Sequence, residues 1–176
     1  MKPKARPWLT IATVISASTL LLADSKEFTG DNTEGWLVWN VTKGQQENDK
    51  LASSDGWLHL KYDRAEFVLL AHMTPVTGLK EMTVVMKSDT DAMVAFGVED
   101  QDKAKFHYPV QLKAGEEKTV TIKPEDFKLN NDSPTKKEKV EPEKLGNSYL
   151  VADLGAFAGA TGENTLHIKK VTIVRE

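Results

Sequence analysis

The chain contains no cysteine. No disulfide can brace the fold, no thiolate can complete a zinc site, and no lipid can be attached through that residue. A surplus of charge is missing too: 23 basic against 26 acidic side chains leave a net charge of -3. Without a basic stripe, nucleic acid is not an expected partner. The longest apolar run, Trp8 to Leu22, falls short of the roughly 20 residues that a bilayer-spanning helix needs. Neither a long helical period nor an internal repeat follows it.

What is present begins with MKPKARPWLTIATVISASTLLLADS, where Lys2, Lys4 and Arg6 precede the apolar run and the small residue Ala23 closes it. That is the pattern of a secretory signal. Residues 1–23 are therefore expected to be a signal peptide, with retention as a weak anchor the alternative. Residues 24–176 then form one domain without a membrane span, secreted or periplasmic. Lacking disulfides, its apolar core has to hold it together alone.

Segments rich in Val, Leu, Ile, Thr and aromatics recur between Gly, Asp, Asn and Pro, which predicts an all-β fold. The expected strands are Trp36 to Val41, Trp57 to Tyr62, Phe67 to Met73, Glu81 to Lys87, Met93 to Glu99, Lys105 to Leu112, Lys118 to Ile122, Tyr149 to Asp153 and Leu166 to Val174. Strands of this number suit a two-sheet antiparallel β-sandwich. The charged, proline-containing stretch at about 129–148 reads as a long surface loop, or as a short helix around Pro142 to Leu145.

Two hairpins assign faces. With Asp63 to Glu66 as a loop, Leu58, Leu60 and Tyr62 oppose Ala71, Leu69 and Phe67 on the core side. Trp57, His59 and Lys61 then share the outer face with His72, Leu70 and Val68. A Trp ring there can stack on the apolar face of a sugar while His and Lys donate hydrogen bonds. With Asp100 to Ala104 as the second loop, Val94, Phe96 and Val98 oppose Val110, Tyr108 and Phe106 in the core. Ala95 and Gly97 then leave room for a shallow outer groove beside His107 and Gln111, with Pro109 hinting at an edge or bulge. Trp36 and Trp39 stand an odd number of residues apart, so at most one is core and either could extend the aromatic platform.

A catalytic constellation is not legible. The four His residues, 59, 72, 107 and 167, lack metal-ligand spacing, so neither a metal nor another cofactor is expected. Asp89 with Asp91, and Glu99 with Asp100 and Asp102, read as solvated turn carboxylates. The segment Gly155-Ala-Phe-Ala-Gly159-Ala-Thr-Gly162 lacks the ending of a phosphate loop and reads as a turn feeding the last strand. No Gly-x-Ser-x-Gly elbow occurs.

The order Pro124-Glu-Asp-Phe127, Tyr149-Leu-Val-Ala-Asp153, Gly159-Ala-Thr-Gly162-Glu-Asn-Thr-Leu-His-Ile168 and Val171-Thr-Ile-Val174 resembles the galactose-binding-like jelly rolls. These include carbohydrate-binding modules and the domain of the complex I intermediate-associated protein family. The resemblance implies a jelly-roll sandwich that binds polysaccharide through aromatics without catalysis. Many relatives hold a structural Ca²⁺ with acids in the last strand, where this chain has Ile168-Lys169-Lys170-Val171, and lysines cannot ligate calcium. The expectation is a secreted, non-catalytic carbohydrate-binding domain using Trp57, His59, His72, His107 and Gln111. The alternative is an assembly protein that docks another exported protein through the same face.

Overall fold

The computed structural model describes residues 24–176, so the expected signal peptide lies outside the described residues. Thirteen strands are formed: β1 (Asp24–Thr29), β2 (Trp36–Asn40), β3 (Gln45–Gln46), β4 (Leu51–Ser54), β5 (Trp57–Asp63), β6 (Val68–His72), β7 (Leu79–Ser88), β8 (Ala92–Asp100), β9 (Lys105–Leu112), β10 (Lys118–Ile122), β11 (Lys128–Leu129), β12 (Leu145–Asp153) and β13 (Glu163–Arg175). They build two antiparallel sheets. The first runs β10-β7-β13-β5-β4, with β1 also paired to β13, and the second runs β11-β9-β8-β12-β6-β2-β3. The chain is thus an all-β, two-sheet antiparallel sandwich, as its alternating strands predict, with the jelly-roll architecture that the resemblance implies.

Alternation drives the packing. On β5 the even positions Leu58, Leu60 and Tyr62 are buried, and on β8 so are Val94, Phe96 and Val98. Met82, Val84 and Met86 of β7 and Ile168, Val171 and Ile173 of β13 join β5 on the first sheet's side of this core. Fully burying one such side chain stabilises the fold by about 1.5–3 kcal/mol, which lets a domain without disulfides stand. Gly30 serves the same packing. A Cβ there would lie 2.5 Å from the Leu58 nitrogen and 2.6 Å from the Trp57 Cα, both backbone atoms that cannot yield.

The second expected hairpin forms as read, with Val94 opposite Val110, Phe96 opposite Tyr108 and Val98 opposite Phe106. The first does not form. β5 pairs with β4 and β13 in one sheet, whereas β6 pairs with β2 and β12 in the other. The intervening link crosses between sheets because its polar groups find other partners. The Arg64 amide donates to the Gly162 carbonyl, the Phe67 amide donates to Thr42 Oγ1, and the Phe67 carbonyl accepts from Val41. As a result β6 is turned over: Val68, Leu70 and His72 are buried, and Leu69 and Ala71 face outward.

A buried polar network closes this end of the sandwich. Tyr62 donates to Asp153 (2.9 Å), Arg64 Nε donates to the same carboxylate (2.9 Å), and Asn164 donates to Tyr62 (2.8 Å) and Ser88 (2.9 Å). Burial and the neighbouring Asp153 charge push the Tyr62 phenol well above its usual range, so it stays protonated and keeps donating. Asp153 and Asn164 come from the segments that carry the jelly-roll resemblance, and their work here is structural.

The expected loop at 129–148 is shorter in the structure, because β12 already starts at Leu145; the connection, residues 130–144, contains one turn of 3-10 helix at Pro142–Lys144 and is tied down by burial of Ser133 and Val140. Lys137 reaches from it to Asp100 (2.6 Å), Asp102 (2.7 Å) and Glu141 (3.0 Å). Asp100 is therefore not the solvated turn carboxylate expected of it: it is 2 % exposed and caps the amides of Asp102 and Ala104.

Candidate binding surfaces

The sandwich has two outer faces, and the five expected ligand-binding residues do not share one. Trp57 and His59 stand on the outer face of the first sheet. His107 and Gln111 stand on the outer face of the second, on β9. His72 lies on neither. It is 4 % exposed, packed between Phe28 (ring centroids 4.1 Å), Trp36 (4.7 Å) and Tyr149 (5.6 Å). Burial, with the Lys26 charge adding to it, pushes its pKa down to about 4, so it is a neutral core aromatic. Its misplacement follows from the crossed link: with β6 turned over, each residue on it changes sides.

On the first sheet, Trp57 is half-buried. Its ring already carries the ammonium groups of Lys87 at 4.7 Å and Lys169 at 5.4 Å, and it packs edge-on against His167. Stacking a sugar there means displacing cations that are favourably placed. Beside it a hollow of about 870 Å³ is lined by His59, His167, Thr165 and several Lys, Asp and Glu side chains. This face is densely charged.

The second sheet is different. Register places Pro109, Ala95, Ala152, Leu69 and Trp39 in one row across five strands, and His107, Gly97, Leu150, Ala71 and Leu37 in the next. Four steps between neighbouring strands span roughly 19 Å. Ala95, Gly97, Ala152 and Ala71 make the floor low, forming the groove expected from the second hairpin. Its central hollow measures about 580 Å³, and its lining includes Phe67, Leu150, Phe157 and His107. Phe157 is 72 % exposed and leans on Phe67 at 4.6 Å between centroids. Beyond Leu69, Trp39 is 45 % exposed and prolongs the floor. At the other end His107 is hydrogen-bonded to Asn130, which fixes its ring at the wall. Gln111 sits four residues further along β9, outside the hollow, its amide bonded to the Leu112 carbonyl.

The local pattern predicts Phe67 in the core and Phe157 in a plain turn, and both instead line the groove. The signals for this face were the odd spacing of Trp36 and Trp39, which the structure resolves as one buried and one exposed, and the small residues of β8.

No protein-family model matches the chain, and no curated protein matches it significantly by sequence. Solved structures do match by fold. A variant of a family 29 carbohydrate-binding module complexed with cellulohexaose is 15 % identical, covers 88 % of this chain and 92 % of its own, and superposes with a TM-score of 0.55. Another family 29 variant, complexed with mannohexaose, is 14 % identical over 88 % and 93 % with a TM-score of 0.53. The family 11 module of a cellulosomal cellulase of Clostridium thermocellum is 12 % identical over 91 % of both chains, again with a TM-score of 0.55. The fold is therefore the β-sandwich of carbohydrate-binding modules. These structures do not extend to the complex I intermediate-associated part of the resemblance.

Proposed function

We propose that the chain is an exported, non-catalytic domain that binds a neutral polysaccharide along the groove of the second sheet. Trp39 and Phe157 supply the stacking rings, and His107 supplies a directional polar contact. The observation that carries this reading is the low floor of Ala and Gly on β6, β8 and β12, flanked by the exposed rings of Trp39 and Phe157. A chain of pyranose rings presents flat apolar faces to aromatic rings and hydroxyls to the rim. Two of the structural neighbours hold hexose oligomers, which agrees with this reading. The signal-like start supports export.

Affinity electrophoresis through gels containing soluble β-glucans and mannans tests the proposal. Wild type is expected to be retarded by one class, with the affinity reduced about tenfold or more in Trp39→Ala, a loss of the size expected for an interface anchor. Trp57→Ala should migrate like wild type. Loss in Trp57→Ala but not in Trp39→Ala would overturn the choice of face. Uniform mobility across the panel would favour docking of another exported protein, a reading that exposed Leu37, Val41 and Met93 also suit.

A further inference from the structure

On the outer face of the first sheet, His59 of β5 and His167 of β13 are directly paired across the strands. Their Nδ1 atoms lie 2.7 Å apart. What surrounds the two rings decides where their protons sit. His59 Nε2 is 3.2 Å from the Ser54 carbonyl oxygen and 3.0 Å from Ser54 Oγ. A carbonyl can only accept, and the hydroxyl can accept as well, so both Ser54 contacts are met when Nε2 carries the hydrogen. His167 Nε2 is 2.8 Å from Asp89 Oδ1, and a carboxylate likewise accepts. With the hydrogens so placed, all the outward contacts are met and two bare Nδ1 lone pairs converge on one point. Lone pairs at that separation repel unless a positive centre lies between them.

We propose that this point is a binding site for a divalent cation of the copper, nickel and zinc class, with His59 and His167 as its two protein ligands. Imidazole nitrogen is a preferred donor for these ions. The outward bonds supply what a metal-bound imidazole commonly has, one ring braced by a carboxylate and the other by a backbone carbonyl. Metal–nitrogen bonds of about 2.0–2.1 Å at a tetrahedral angle need the two nitrogens roughly 3.3 Å apart. Small ring rotations supply that difference, since both side chains stand on paired strands beside open space. The hollow of about 870 Å³ in front of them leaves room for water as the remaining ligands, and its lining carries Asp49, Asp63, Glu66 and Glu163 alongside Lys43, Lys50 and Lys61. Nearby cations are already engaged: Lys61 pairs with Glu163 at 3.0 Å, and Lys87 rests over Trp57.

Nothing in the sequence announces the pair, because its members are 108 residues apart. Titration of untagged full-length chain with Cu²⁺ and Zn²⁺, followed calorimetrically, is expected to show one site, with Cu²⁺ bound more tightly. His59→Ala and His167→Ala should each weaken it about tenfold or more. Asp89→Ala, which removes a positioning group, should weaken it about 10–100-fold. Electron paramagnetic resonance of the Cu²⁺-loaded wild type should show coupling to two imidazole nitrogens, a readout that does not depend on any variant folding. Equal affinity in wild type and the His59→Ala/His167→Ala double variant would overturn the proposal, leaving a shared proton as the occupant. So would a copper spectrum without two-nitrogen coupling. Trp39→Ala should leave metal binding intact, so failure here is separable from failure of the polysaccharide reading.

Discussion

His72 is a side chain whose chemistry changed completely with its side of the sheet. Buried among Phe28, Trp36 and Tyr149, it resists protonation in the folded state, with a pKa of about 4 against an ordinary 6.5. The unfolded chain takes up that proton first as the solution is acidified. Stability from the neutral ring is therefore complete above about pH 6.5 and drains away as pH falls to about 4, a loss on the order of 3 kcal/mol. Urea unfolding of wild type and His72→Leu at both ends of this window should show a flatter pH dependence in the variant, whatever its absolute stability. Trp39 and Phe157 contrast with it. Being exposed, their replacement by Ala should change stability by less than about 0.5 kcal/mol while it weakens polysaccharide binding.

Strands carry the next set of consequences. Gly97 of β8 lies on the groove floor, where an added Cβ would meet Leu150 at an ordinary 3.6 Å. Gly97→Val should therefore fold, since a branched residue suits a strand, yet it raises the floor and should abolish retardation in the polysaccharide gels. A folded variant with unchanged retardation would place the ligand elsewhere. Gly30 behaves oppositely. The backbone atoms 2.5–2.6 Å from its would-be Cβ force β1 away from β5, so Gly30→Ala should cost about 1–3 kcal/mol in chemical denaturation, with groove binding preserved in the folded fraction. At the crossing between sheets, Asn164→Ala leaves Tyr62 and Ser88 short of a buried partner. A loss of about 2–4 kcal/mol is expected from the same measurement.

For the molecule as a whole, the two outer faces are back to back, separated by the core. The charged face of Lys, His and Asp and the apolar groove share no side chain, so their functions should be energetically independent. Neutral sugar binding should also be indifferent to ionic strength: affinities measured at about 0.05 and 0.5 M salt should agree within error, because no ion pair is screened in forming the complex. A steep salt dependence would point to an anionic ligand on the lysine-bearing face.

Much of this architecture could be read from the chain. Alternation on β5, β8 and β9 assigns their buried sides correctly, since a strand with one apolar row has only one row to bury. The same alternation found the low groove floor through Ala95 and Gly97. On β6 the alternation is uninformative: Val68 and Leu70 are as apolar as Phe67 and Leu69, so either side could have been the core. Its orientation was set by distant partners, namely Thr42, Gly162 and the Asp153–Tyr62–Asn164 network, which drew the link after β5 across the sandwich. That one crossing sent His72 inward and put Trp57 on the opposite surface from His107. It also left His59 to meet His167. Local pattern thus carries class, strands and most faces, because burial periodicity is a short-range property. Which faces lie together, and which side chains converge, depends on pairings between residues a hundred positions apart, where no local pattern reaches.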